Sequence, residues 1–203
     1  MIKRAFDLAL SAVGLVALAP LFLLVALVIR LDSPGPALYC QWRVGRDFLP
    51  FRIWKFRTMV CGADTAGGSL TLRADRRITR AGAFLRRCKI DELPQLWNVF
   101  RGDMSLVGPR PEVQRFVDHF PREYTRLLRV RPGITDLASL RFRRESELLA
   151  QSHDADRLYL EQILPEKLRL SQLYLQHASF GYDLLLIVRT LWAAIAPAAR
   201  PAP

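Results

Sequence analysis

From Ala5 to Ile29 the chain is almost wholly apolar, broken only by Asp7, Ser11, Gly14 and Pro20, and it is flanked by Lys3 and Arg4 before and Arg30 after. At 1.5 Å per residue these roughly 25 positions predict enough helix to cross a bilayer once. Proline in mid-helix removes a backbone donor and clashes with the preceding turn, so a sharp bend at Ala19-Pro20 is physically prepared. The pattern therefore also fits a re-entrant hairpin, with two arms of roughly 13 residues, about 20 Å each, entering and leaving one leaflet. Charge favours the hairpin. Lys3 and Arg4 stand at one end, while Arg30, Arg43, Arg46 and a basic domain follow the other, so the positive-inside tendency draws both ends to the cytoplasmic side. A cleaved signal peptide, with Ala17-Leu18-Ala19 as its small-x-small site, is opposed by the apolar sequence that continues for about ten residues beyond. A core helix apolar on every side would need a larger domain around it than the remaining residues supply.

Ser33-Pro34-Gly35-Pro36 cannot continue a helix and marks the exit from this segment. Ala37 to Phe56 carries short β-prone runs separated by Gly45-Arg46-Asp47, which predicts a small hairpin or two strands. Cys61 to Ser69, rich in Gly, Ala, Asp and Ser, reads as a mobile loop. Arg157 to Gln176 places Leu160, Ile163, Leu164, Leu168 and Leu175 at helical spacing and predicts a helix packed on the domain. Phe180 to Ala196 is more apolar, but Asp183 and Arg189 argue for an interfacial or docking helix instead of a span. The expected fold class is α+β and mostly helical. Its parts are a re-entrant membrane helix-break-helix over 1–32, a small cytoplasmic-face catalytic domain with a short β element over 33–196, and a disordered tail over 197–203.

A chain of 203 residues with 51% hydrophobic content supports one cored domain plus one element outside it. The net charge of +11 points to an anionic partner: nucleic acid, acidic lipid or phosphorylated substrate. Cys40, Cys61 and Cys88 are odd in number and far apart, which argues against disulfides and a thiolate metal site and suits a reducing, cytoplasmic setting. His119, His153 and His177 lack metal-ligand spacing. Catalysis, if present, falls to carboxylates and arginines.

Candidate chemistry concentrates in a few blocks. Gln41, Arg43, Lys55 and Arg57 lie on the predicted strands, where a solvated face near acidic lipid would equally explain the cations. Arg76, Arg77, Arg80, Arg86, Arg87 and Lys89 form a basic cluster running straight into Asp91-Glu92-Leu93-Pro94-Gln95. In a helix two adjacent carboxylates project about 100° apart and cannot share one job. One could attack phosphorus or bind a metal while the other orients or accepts a proton, with arginines and Mg²⁺ neutralising a diphosphate. The same acids would also suit a helix N-terminus, with Pro94 in its first turn. Residues alone leave both readings standing. Prolines on either side of Arg110 fix the backbone around one guanidinium, which suits a bidentate grip on phosphate. Arg141, Arg143 and Arg144 make a second cationic arm.

Taken in order, Lys3-Arg4-x-Phe6-Asp7, Gln41-x-Arg43-x-Gly45, Lys55-Phe56-Arg57-Thr58-Met59, Asp91-Glu92-Leu93-Pro94-Gln95, Gly108-Pro109-Arg110-Pro111 and Pro132-Gly133-Ile134-Thr135 resemble the bacterial sugar transferases known as monotopic phosphoglycosyl transferases. Each motif is weak alone; the ordered set, covering nearly the whole chain, is highly specific. The resemblance implies a re-entrant helix bent at Pro20 and a catalytic dyad at Asp91 and Glu92. It further implies that Asp91 attacks the β-phosphate of a UDP-sugar, releasing UMP, with Mg²⁺ bound near Asp91. Undecaprenyl phosphate would then take the phospho-sugar. Lys55, Arg86, Arg110 and Arg143 are the implied phosphate-binding cations, and Glu92 would assist proton handling or metal positioning. The implied partners are UDP-sugar, undecaprenyl phosphate and bacterial membrane lipid, at the cytoplasmic face of the inner membrane; a homodimer is left open. Two departures stand out. Ala19-Pro20 replaces a frequent Ser-Pro, and Asp136-Leu137-Ala138-Ser139 replaces a Gly-x-Ala-Gln continuation, which bears on sugar preference. A membrane-tethered nucleic-acid binder would need aromatics interleaved with cations and would leave Asp91-Glu92 without purpose, so no nucleic acid is expected. A non-catalytic scaffold is the other alternative.

Overall fold

The computed structural model describes residues 2–63 and 75–195. The expected tail, 197–203, and the 64–69 part of the expected loop lie outside the described residues. Two helices open the chain, α1 (Ile2–Ala17) and α2 (Ala19–Asp32), bent by 59° across the break at Leu18. Pro20 lies in the first turn of α2, so the carbonyl of Val16 receives no N–H from it and the helix yields there. No single helix among the described residues is long and apolar enough to cross a membrane, although the bent pair taken together has the length and composition.

Both arms are held by the rest of the chain. On α1, Asp7 accepts the Ser105 hydroxyl at 2.8 Å and the Leu106 N–H at 3.1 Å, while Lys3 donates to the Val107 carbonyl and pairs with Asp183. Arg4 donates to the carbonyls of Val99 and Phe100. On α2, Val25 and Ile29 pack against Phe56 and Leu85. Between these attachments Val16 is 78% and Leu23 74% exposed, so the segment is no buried core helix. Replacing Asp7 by alanine strands a buried hydroxyl and a buried N–H. The expected loss is about 1–3 kcal/mol, read as a lower thermal midpoint, with Asp7→Asn milder because it keeps an acceptor.

The expected hairpin forms over β1 (Leu38–Val44) and β2 (Pro50–Phe56), antiparallel, with Leu38 facing Phe56 and Val44 facing Pro50. Its turn puts Asp47 and Phe48 at φ of 56° and 62°, closed by Gly45 N–H donating to the Leu49 carbonyl. Helices α3 (Arg80–Cys88) and α4 (Gln95–Arg101) follow. A second sheet, with no announcing pattern in the sequence, pairs β3 (Ser105–Val107) in parallel with β4 (Gly133–Thr135). Helices α5 (Gln114–Val117) and α6 (Pro121–Leu127) lie between those strands. After β4 come α7 (Leu137–Arg141), α8 (Glu145–Ala150) and α9 (Ala155–Leu158). The helix expected over 157–176 begins within α9, passes through one π turn at Tyr159–Ile163 and continues as α10 (Leu164–His177). Pro165 explains the wide turn: it has no N–H to return to the carbonyl one turn back, so the chain widens just before it. The last helix is α11 (Phe180–Ile195).

The architecture is α+β and mostly helical. One core gathers Phe51, Val99, Met104, Val107 and Leu186 beneath β2, α4, β3 and α11. Another gathers Phe116, Leu127, Leu149, Tyr159 and Leu164 beneath α5, α6 and α10. The main cavity is lined by members of the second core, among them Phe116, Leu127, Leu149, Tyr159 and Leu164, and by residues of β1, β2 and α3.

Candidate active site

The cavity measures about 1620 Å³, and all six expected polar residues, Lys55, Arg86, Asp91, Glu92, Arg110 and Arg143, line it. Pro20 does not line it and lies in the first turn of α2. Local sequence explains the convergence. Lys89 at the end of α3 adopts the left-handed conformation, φ 58°, and turns the chain into a single 3-10 turn at Ile90–Glu92. With three residues per turn, neighbouring side chains diverge by about 120°, so Asp91 and Glu92 face different surroundings.

Helix α4 then anchors the turn to the sheet. Buried Asn98 accepts from the Trp54 N–H at 3.0 Å and donates to the Arg52 carbonyl at 2.7 Å, pairing with the edge of β2 as another strand would. This fixes Lys55 beside the dyad. Lys55 Nζ donates to Glu92 Oε1 at 3.1 Å, and Arg110, rigid between Pro109 and Pro111, reaches the same carboxylate through both terminal nitrogens at 2.5 and 3.3 Å. Glu92 is therefore fully engaged. Asp91 is 8% exposed, and its Oδ1 is buried with no hydrogen-bond partner among the described residues.

Electrostatics separate the two acids as well, and move them in opposite directions. Burial, then the Glu92 charge, pushes the Asp91 carboxyl above its ordinary value. Burial also works against ionised Glu92, but Arg110 and Lys55 overcome it and hold that carboxyl well below the usual range. Burial draws the Lys55 ammonium down despite Glu92, and draws Arg86 down despite Asp91. Two adjacent carboxylates in opposed environments are the arrangement that assigns separate roles.

Arg86 is positioned by Thr58, whose hydroxyl accepts its Nε at 2.8 Å. This depends on a close approach, since a Cβ on Gly82 of α3 would overlap the Thr58 carbonyl. Gly82→Ala is expected to cost about 1–3 kcal/mol in thermal unfolding, and to weaken the protein's grip on a phosphate ligand through displaced Arg86. Arg57 has a different part from its motif neighbour Lys55. Its guanidinium clasps the carbonyls of Ser33 and Pro34 at 2.7 Å each and the Ser33 hydroxyl, fastening the exit of α2.

Several cavity residues carried no sequence signal. Buried Glu112 accepts from Tyr159 at 2.9 Å and from Arg43, and Lys167 pairs with Glu145 at 2.5 Å over the Tyr159 ring. Only Arg43 and Glu112 sit in or beside quoted motifs; Tyr159 and Lys167 read as ordinary helix positions. Ser139, in the stretch that departs from the resembled pattern, lines the cavity with its hydroxyl buried and unpartnered among the described residues. Arg143 is half-buried on the same wall.

No three His, Cys, Asp or Glu residues converge as a metal cage among the described residues. The donor set nonetheless suits Mg²⁺ shared with a ligand, because that ion is commonly held by one or two carboxylates plus substrate phosphates, and the Asp91 carboxylate accepts no hydrogen bond among the described residues.

The Asp91 carboxylate, free of hydrogen bonds among the described residues and set among four cations in a roomy cavity, makes a site that can accommodate an anionic ligand. The chain belongs to the bacterial sugar transferase family, whose model matches residues 1–197. It is 37% identical over 193 residues to a UDP-N-acetylgalactosamine-undecaprenyl-phosphate N-acetylgalactosaminephosphotransferase of Aeromonas hydrophila, covering 94% of this chain and 43% of that one. It is 46% identical over 166 residues to a UDP-glucose:undecaprenyl-phosphate glucose-1-phosphate transferase of Caulobacter vibrioides, covering 78% and 62%. A protein of the same description from Escherichia coli is 36% identical over 196 residues, covering 95% and 40%. The chain thus spans about half the length of these curated relatives.

Proposed function

We propose that this chain transfers a phospho-sugar from a UDP-sugar to undecaprenyl phosphate, a membrane step in building a bacterial glycoconjugate. The Asp91 carboxylate, lining the cavity and accepting no hydrogen bond among the described residues, carries the reading. In the proposed cycle a carboxylate oxygen of Asp91 attacks the β-phosphorus, the bond from that phosphorus to the oxygen bridging to the α-phosphate breaks, and UMP leaves with the bond's electrons. A phosphate oxygen of undecaprenyl phosphate then attacks the same phosphorus, forming the diphosphate link and returning Asp91 as carboxylate. Glu92 holds Lys55 and Arg110 in place to meet the charge of the transferred group, and Arg86 and Arg143 meet the rest of the diphosphate. Mg²⁺ held at Asp91 would neutralise diphosphate charge. Removing divalent ions with EDTA is expected to stop UMP release, and added Mg²⁺ to restore it.

Residues 1–32 are proposed as a re-entrant anchor at the cytoplasmic face of the inner membrane. Supporting this, both arms attach to the same body while the apolar stretch between them is exposed, and the exposed aromatic rings of Phe84, Trp97 and Phe100 lie on the helices that hold the arms. Residues 33–196 form the catalytic domain in this reading. Helix α11 adds an outward apolar side through Leu185, Val188, Leu191 and Trp192, suited to an interfacial position.

The test is UMP release by the detergent-purified chain supplied with Mg²⁺, undecaprenyl phosphate and a panel of UDP-sugars. Release with one donor and dependence on the lipid acceptor is the expected result. A folded protein that releases UMP from no donor would move the assignment to a scaffold.

A further inference from the structure

We infer that a second cavity, distant in lining from the first, binds the phosphate group of an anionic glycerophospholipid. It measures about 450 Å³ and shares no lining residue with the catalytic cavity. Five cations line it, Lys3, Arg4, Arg46, Arg129 and Arg131, against two carboxylates, Asp7 and Asp183. Both carboxylates are already committed inward: Asp7 to Ser105 and Leu106, and Asp183 to Lys3 and Tyr174. Arg4 is likewise spent on two backbone carbonyls.

Lys3 is spent too, on Val107, Tyr174 and Asp183, whereas Arg46, Arg129 and Arg131 keep donors to spare. Arg131 uses only Nε, given to the Gly102 carbonyl at 2.7 Å, which leaves its terminal fork without a partner among the described residues. Arg129 is exposed and has no side-chain partner among them. Arg46 pairs only with its neighbour Asp47, and the Asp47 N–H donates to the Leu128 carbonyl at 2.7 Å, which ties the turn bearing Arg46 to the one bearing Arg129. Forked guanidinium groups of this kind match the two free oxygens of a phosphodiester.

Location selects the source of that phosphate. The cavity lies where α1 begins and α11 begins, joined by the edge-to-face contact of Phe6 with Phe180 at 5.2 Å. On the membrane reading above, on which this inference rests, both helices turn their apolar sides to lipid, so the cavity mouth stands at headgroup height. Val130, Leu175 and Phe180 give the glycerol and first acyl carbons an apolar wall. An occupied site would fix the tilt of the domain on the bilayer.

The experiment places a photo-crosslinking amino acid at Val130 in the full chain, reconstituted in nanodiscs of phosphatidylcholine with a minor fraction of phosphatidylglycerol. A second protein carries the crosslinker at Leu23. Surface attraction per cation corresponds to roughly fivefold enrichment. We expect Val130 adducts enriched in phosphatidylglycerol at least fivefold over its mole fraction, and Leu23 adducts showing no headgroup preference. Arg129→Glu should abolish the enrichment and Arg129→Lys should keep most of it. Val130 adducts in proportion to mole fraction, or enrichment unmoved by Arg129→Glu, would overturn the site while leaving the membrane reading intact. Enrichment suppressed by millimolar inorganic phosphate would reassign the cavity to a soluble phosphate. Absence of lipid adducts at Leu23 would overturn the membrane reading and this site together, whatever the UMP assay shows.

Discussion

Asparagine at position 91 is expected to lower UMP release by at least about three orders of magnitude while leaving the protein folded. The exchange is isosteric, and neither carboxylate oxygen makes a hydrogen bond among the described residues whose loss could unfold the site. An amide oxygen is a poor nucleophile toward phosphorus, and an amide is also a poorer ligand for a hard cation than a carboxylate. Loss of the negative charge should ease the burial that pushes the Asp91 carboxyl up, so the thermal midpoint should stay level or rise. The measurement pairs UMP release with thermal unfolding on the same preparation. Release within tenfold of the original protein would exclude Asp91 as the nucleophile; a collapsed midpoint would make it structural.

The second large effect is expected at Glu92, with the opposite balance. Glu92→Ala removes the only carboxylate that meets both Lys55 and Arg110 among the described contacts, leaving two cations facing each other in a partly buried site. Breaking a buried ion pair from one side costs about 3–5 kcal/mol. Stability should therefore drop clearly, together with UMP release by roughly a hundredfold, because the cations no longer hold their places. Glu92→Gln keeps the shape and one acceptor oxygen, and should recover most of the stability and less of the rate. An alanine variant as stable as the original would mean that Lys55 and Arg110 are held in place by something other than the Glu92 charge.

How much of this was legible depended on distance along the chain. Asp91 and Glu92 stand together, so their pairing could be read directly, and so could the break at Pro20 and the β1–β2 hairpin, which rest on local chemistry. The tie between Glu92, Lys55 and Arg110 joins positions 37 and 18 residues away, and no local pattern encodes it. Lys55, Arg86, Arg110 and Arg143 could be picked as cations, but that the first and third would be shared by one carboxylate was visible only in three dimensions. Arg57 shows the reverse. It sits two residues from Lys55 in the same motif, yet on the strand's continuation it turns to the α2 exit and serves as a clasp. The β3–β4 pair escaped because three residues are too few to show a period. The polar wall of Glu112, Tyr159, Lys167 and Glu145 escaped because these positions stand far apart along the chain, and a local pattern does not show whom a side chain meets.

On the proposed reading of residues 1–32 as a re-entrant anchor, the two attachments of the α1–α2 pair bear on how it would get into a bilayer. Lys3 and Arg4 at one end and Arg57's grip on Ser33 at the other fasten both flanks to a single body. An apolar bend fastened at both ends has no charged flank to carry across the hydrocarbon, so the several kcal/mol per cation that a spanning helix's tail would face does not arise. Entry then becomes a matter of pressing a preformed apolar surface into one leaflet, a step open to an already folded chain.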